Sequence, residues 1–117
     1  MKPILLMFNF TGERRLLLLE LSARLNAEAR EIQPAGQFRT VAALLGAGSD
    51  QPAPGLRMPF SEELLLISGL PDPQLDRLLA LWKQSGQAPI QKKAIVTPYN
   101  FAWTPLRLRD ELAKEAR

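Results

Sequence analysis

Side chains able to hydrogen-bond or stack gather in one stretch of this chain. Thr97, Tyr99, Asn100, Trp103 and Thr104 all fall between Lys92 and Pro105. A short apolar run, Ala94-Ile95-Val96, leads into the group, and Thr104-Pro105 reads as the start of a helix. The chemistry open to these residues is narrowed by what the chain lacks. Among its 117 residues there is no cysteine and no histidine. The first absence removes disulfides, thiol nucleophiles and thiolate metal sites. The second removes the commonest general base and the commonest transition-metal ligand. A Ser-His-Asp triad, a Cys-His pair and a typical zinc site therefore cannot be assembled within this chain. Carboxylates, lysines, Tyr99 and hydroxyls remain. Neutral polar groups of this kind suit recognition by hydrogen bonds better than catalysis. The expectation is a non-enzymatic module that binds a protein partner or a small ligand, with no metal and no cofactor. The alternative is a small enzyme or enzyme subunit using Tyr99, Lys93 or a carboxylate.

Two further groups of small polar residues end apolar runs. Asn9, Thr11 and Gly12 follow the run from Ile4 to Phe8, and Ser68 and Gly69 close the run that begins at Leu64. Neither carries a nucleotide fingerprint: no GxGxxG follows the first run and no GxxxxGK[ST] occurs anywhere. A receiver domain would place acidic residues where this chain has Asn9, which argues against phosphoacceptor chemistry.

The formal charge is +3 and the isoelectric point is near 9.7. The tightest basic groups are only Arg14-Arg15 and Lys92-Lys93, and acidic residues are interspersed elsewhere. This patterning describes a solvated mixed-charge surface and argues against nucleic acid as a partner. The runs Ile4–Phe8 and Leu16–Leu19 are too short for a signal-peptide core or a membrane span, so a cytoplasmic protein is expected.

The elements that must position these residues follow from periodicity. Pro3 to Phe10 reads as a strand buried on both faces. Glu13 to about Glu28 reads as a helix, with Leu17, Leu18, Leu21 and Leu25 on one face and Thr11 as its cap. Leu16 and Leu19 widen that stripe; the expected reading is a wide core face, and the alternative is a self-contact through Leu16 or Leu19 in a homodimer. Ala29 to Pro34 is a short strand, and Gly36 to Leu45 returns to helical spacing with Gly46 as its stop. A long irregular loop is expected over about 47–60. Leu64 to Leu70 reads as a central strand, although Ser61-Glu62-Glu63 also resembles a helix start. Asp72-Pro73 opens a helix by a capping carboxylate followed by proline, with Leu75, Leu78, Leu79 and Trp82 as its core face. Ala94 to Thr97 is the last strand and Thr104 to about Ala116 the last helix. Trp103 and Leu108 have the spacing of a hydrophobic staple at its entry.

Strand–helix alternation, four times over, argues for one α/β domain spanning 1–117: a parallel four-stranded sheet, (βα)4, in flavodoxin-like order 2-1-3-4 with helices on both faces. Ligands of such sheets bind beyond the strand carboxyl ends, at the switch in strand order. That switch lies between the first and third strands and gathers Asn9, Thr11, Gly12, Ser68 and Gly69, with Thr97, Tyr99 and Asn100 beside them. Lys92 and Lys93 start the last strand. They lie roughly 13 Å from Thr97 at strand rise, and protect an exposed edge.

The C-terminal half of the chain, from about Pro59 to Glu115, resembles the bacterial DUF3783 family, a domain of unknown function. The carriers are Ile67-Ser68-Gly69-Leu70, Leu75-Asp76 with Leu79, Lys93-Ala94-Ile95-Val96-Thr97, Asn100, Trp103 and Glu111-Leu112. Members often end in an acidic residue followed by histidine, where this chain has Glu115-Ala116. The resemblance implies no reaction. It points to Lys93, Thr97, Asn100 and Trp103.

Overall fold

A computed structural model of the protein describes residues 2–47 and 58–115. Most of the irregular stretch expected over 47–60 lies outside the described residues. The elements are β1 (Ile4–Phe8), α1 (Gly12–Arg24), β2 (Glu28–Ile32), α2 (Val41–Leu44), β3 (Leu64–Ser68), α3 (Asp72–Gln84), β4 (Lys92–Ile95) and α4 (Pro105–Glu115). A 3₁₀ segment, Pro34–Phe38, precedes α2.

All five residues of β1 and the first four of β3 are buried, which is why both read as uninterrupted apolar runs and both are central. The alternative helix start at Ser61 is not used. Helix α1 stops four residues earlier than its apolar stripe suggested. Leu25 is still packed in the core, but Asn26 turns into the left-handed region (φ 55°), and the Ala27 amide bonds back to the Ser22 carbonyl. Asparagine tolerates that conformation better than most residues, so it closes a helix much as glycine does. The helix expected over Gly36 to Leu45 is broken in two. Thr40 is extended and its hydroxyl caps α2 by accepting from the Ala43 amide, at 3.1 Å. At α3 the capping position falls on Pro71, and Asp72 lies in the first turn without a side-chain cap bond.

The strand order is β2-β1-β3-β4, as the sequence suggested, but the sheet is mixed. β1 and β2 are parallel, β3 and β4 are parallel, and β1 runs antiparallel to β3. The parallel assignment assumed that every connection carries a helix back along the sheet. A five-residue strand spans about 17 Å, which a return helix covers in about eleven residues. α2 has only four. Moreover, β3 is buried on both faces, so its apolar pattern carries no direction. What holds its entry beside the carboxyl end of β1 is a pair of side-chain amides. Asn9 Nδ2 donates to the carbonyls of Phe60 and Glu62, both at 2.9 Å. The buried Gln37 amide closes a ring with the Phe60 backbone, accepting from its N–H at 2.7 Å and donating to its carbonyl at 3.1 Å.

Two βαβ units, β1-α1-β2 and β3-α3-β4, thus lie back to back. Gly12 follows Ile4 by eight residues and Asp72 follows Leu64 by the same interval. Both long helices have 13 residues. Leu6 pairs with Leu66 at the centre of the register, so the units are related by a pseudo-two-fold axis through that point. No repeat is visible in the sequence.

Both helices cover the same face. Leu5, Met7, Leu65 and Ile67 pack there with Leu18, Leu21, Leu78 and Trp82. On the other face Ile4, Leu6, Phe8, Leu64 and Leu66 meet Val41, Phe60, Leu106 and Leu108 from the α2 and α4 side.

Candidate functional site

The antiparallel step between β1 and β3 divides the crevice that the sequence suggested. β1 ends beside the start of β3, and Ser68 is paired with Ile4 at the opposite end of the sheet. Asn9 and Thr11 therefore lie at one end, and Ser68, Thr97, Tyr99 and Asn100 at the other. Asn9 adopts a left-handed conformation (φ 65°), with its amide committed to the β3 entry. Thr11 is exposed at the first residue before α1 and makes no side-chain cap bond. Ser68 is half-buried at the end of β3, and Gly69 (φ 76°) turns the chain towards α3.

The turn after β4 does bring its sequence-selected residues together. The Thr97 hydroxyl accepts from the amides of Tyr99 and Asn100, at 3.2 and 3.3 Å. Asn100 reaches back to the strand: its Oδ1 accepts from the Thr97 amide at 2.9 Å and its Nδ2 donates to the Ile95 carbonyl at 3.1 Å. This primary amide makes the two bonds that a neighbouring strand's peptide would make. The Phe101 and Trp103 carbonyls accept from the Ala42 and Val41 amides, which docks the start of α2 onto the turn. Trp103 is half-buried against the α4 side of the core, with the Arg107 guanidinium 4.0 Å from its ring centroid. Tyr99 is 86% exposed.

Beside this turn lies a groove that the sequence did not single out. It runs between α3 and β4 as two adjoining hollows of about 370 and 350 Å³ that share Leu79 and Lys93 as a wall. Its apolar lining comes from Ile67, Leu75, Leu79, Trp82, Ile90 and Ile95. Leu75 and Leu79 were read as core. In the structure Leu78 and Trp82 fill the core, Leu75 is only partly buried against it, and Leu79 is half-buried at the groove wall. The signal was present in the sequence as an apolar stripe too wide for one neighbour, on a helix beside an edge strand. Ile95 is 49% exposed.

Among the described residues, β4 has no strand on its outer side. The Val96 amide donates to the Ile67 carbonyl, so Ala94, two residues earlier, also points its backbone groups at β3. Those of Lys93 and Ile95 face away. Asn100 occupies the Ile95 carbonyl. The Lys93 N–H and C=O and the Ile95 N–H have no partner among the described residues.

Charge sorts the surface in the same way. Arg14 makes a bidentate pair with Glu63, donates to the Ala88 carbonyl and lies 5.1 Å from the Trp82 ring centroid. Arg15 pairs with Glu31. Glu62 receives two bonds from Arg109 and a contact from Lys92 at 3.5 Å. The Arg109 hydrogen bonds hold the Glu62 carboxyl below the ordinary glutamate range despite partial burial, and Arg15 does the same for Glu31. Both basic clusters are thus largely answered by carboxylates. Lys93 and Lys83, exposed on the groove, have no acidic partner among the described residues. Nor do the described residues contain a group of three or more acidic side chains placed to hold a metal ion. No helix among them is long and apolar enough to cross a membrane.

No curated protein and no solved structure matches the chain. Residues 63–117, from the entry of β3 through α3, β4 and the turn, match the family model of DUF3783, a domain of unknown function, and so the groove and the Lys93, Thr97, Asn100 and Trp103 pattern lie wholly within the matched half.

Proposed function

We propose that this domain is a non-enzymatic binding module for a protein partner, and that it binds through the groove between α3 and β4. The observation that carries the reading is an apolar channel along the outer edge of β4, which no strand among the described residues pairs. Exposed apolar surface with a polar rim is the usual mark of an interaction site. The opposite edge offers a contrast. Through the pseudo-two-fold axis, Ile95 corresponds to Glu31 of β2, and Glu31 is closed off by Arg15. Where one edge carries an ion pair, the other carries a half-exposed isoleucine above a hollow.

An enzymatic reading has less support. Glu62 and Glu63 are both held by arginines, and Tyr99 projects from the turn with no base or acid bonded to it among the described residues. A cytoplasmic setting is part of the proposal. It is supported by the way the apolar runs of β1 and β3 are used in the core.

Selection from a displayed library of short random peptides tests the reading. Binders recovered with the parent protein should lose affinity at least tenfold for Leu79→Asp, a change at a partly buried groove wall, and keep it for Tyr99→Ala. Binders indifferent to Leu79→Asp in a folded variant would place recognition elsewhere and overturn the groove.

A further inference from the structure

We propose that the occupant of this groove is an extended segment of a partner protein that adds to β4 as a fifth strand, with a carboxylate side chain opposite Lys93 and an apolar one opposite Ile95. The inference rests on the binding-module reading and specifies its ligand.

The backbone argues for a strand. The Lys93 N–H and C=O and the Ile95 N–H point outward and are unpaired among the described residues, in the pattern that an incoming strand satisfies. Asn100 sets the limit of that pairing. Its side chain already fills the positions at the Ile95 carbonyl and the Thr97 amide, so an added strand stops there. The free edge is therefore about three backbone groups long. That is short enough to avoid indiscriminate edge-to-edge association and long enough to fix a register.

The side chains argue for the composition. Residues of β4 alternate between faces, and Lys93 and Ile95 both line the α3 side, next to Leu75 and Leu79. A strand laid along β4 would direct alternate side chains to that same side. Directly opposite cross-strand pairs interact, favourably for opposite charges and for apolar pairs. Lys93 lacks an acidic partner among the described residues, as does Lys83 further along the groove. Both favour carboxylates on the incoming chain. The same lysines argue against a second copy as the occupant. Two β4 edges meeting would bring two copies of Lys93 to one seam, and like charges across strands destabilise.

The experiment uses the peptides recovered by display on the full chain. Selected sequences should carry Asp or Glu two residues from an apolar residue. Lys93→Glu, a change at an exposed side chain, should weaken them at least tenfold and favour Lys-bearing peptides instead. Ile95→Pro removes the outward N–H without touching the β3–β4 ladder, a placement proline tolerates on an edge strand. Relative to Ile95→Ala, it should weaken binding about tenfold, the scale of one lost hydrogen bond. Hydrogen exchange on the unaltered protein gives an independent reading: the Lys93 and Ile95 amides should gain protection when peptide is bound. Peptides that need Leu79 but leave both amides unprotected and bind Ile95→Pro as well as Ile95→Ala would overturn strand addition and leave the groove standing. Loss of the Leu79 dependence itself would remove the groove. Protection of both amides in a concentrated sample without peptide, together with dimers in light scattering, would make a second copy the occupant and overturn the choice of an acidic partner strand.

Discussion

Three side-chain amides behave as pieces of backbone in this protein. Asn9 and Gln37 hold the entry of β3, and Asn100 closes the exit of β4. The sequence marked Asn9 and Asn100 as candidate ligand contacts because short polar side chains at strand ends are how many sheets bind small molecules. Their amides turn inward because backbone groups leaving a buried strand must find partners, and an amide supplies donor and acceptor together. Gln37 escaped notice because nothing in a sequence distinguishes a glutamine that is 1% exposed from one in solvent. Charged residues show the same economy. Glu62 sits at the junction of β3, β4 and α4, held by Arg109 and Lys92. A carboxyl whose pKa is depressed by folding adds stability above its unfolded pKa, and that stability is lost as pH falls through the lower folded value. Glu62→Gln should therefore lower the melting temperature at neutral pH, and the difference should shrink as pH drops below the ordinary glutamate value of about 4.3. Because Glu62 and Arg109 are both partly exposed, the effect is modest and weakened by salt. Melting curves for both proteins between neutral and acid pH check it; a gap that widens in acid would contradict the assigned pairing.

At the level of elements, β4, its turn and α4 depend on one another. The edge strand has only four residues, and its outer groups near the exit are met by Asn100. Thr104 then caps α4, accepting from the Arg107 amide at 3.2 Å, while Trp103 packs on the same side of the core as Leu108. Asn100→Ala should destabilise by about 1 to 2 kcal/mol through two lost turn hydrogen bonds. Trp103→Ala should lose about 3 kcal/mol, since a large aromatic leaves its packing and Arg107 loses its ring. Thermal denaturation that finds both variants as stable as the parent would assign the turn to ligand contact instead. These elements were largely legible. β1 and β3 announced themselves as apolar runs bounded by turns, and the staple spacing placed the start of α4. The end of α1 and the break at Thr40 were not legible, for one reason. Both depend on a single residue adopting a non-helical backbone conformation while the apolar spacing continues past it.

For the whole molecule, strand order was legible and strand direction was not. Length, alternation and crossover rules bring β1 and β3 to the centre whichever way β3 runs. Its direction is decided by contacts 51 and 53 residues apart in sequence, from Asn9 to Phe60 and Glu62, which periodicity does not register. Functionally that single reversal matters most, because it separates the two polar strand ends and gives the molecule two unlike edges around a pseudo-two-fold axis. The β2 edge is laced by ion pairs of Arg15 with Glu31 and Arg30 with Glu28. The β4 edge keeps an apolar groove and two lysines, Lys83 and Lys93, with no acidic partner among the described residues. Whichever partner is bound, the scaffold depends on the axis itself, where Leu6 and Leu66 face one another with neither exposed. Since the two leucines occupy equivalent places in the two units, Leu6→Ala and Leu66→Ala should each destabilise by about 3 kcal/mol, within the usual range for an emptied leucine site. The double variant should depart from the sum of the two, because neighbouring residues share one cavity. Leu66→Asp should unfold the domain, since no partner lies within the sheet for a buried charge. Urea denaturation measures all four. Strongly unequal single losses, or a double variant that is simply additive, would mean that the two leucines do not share the centre of the core.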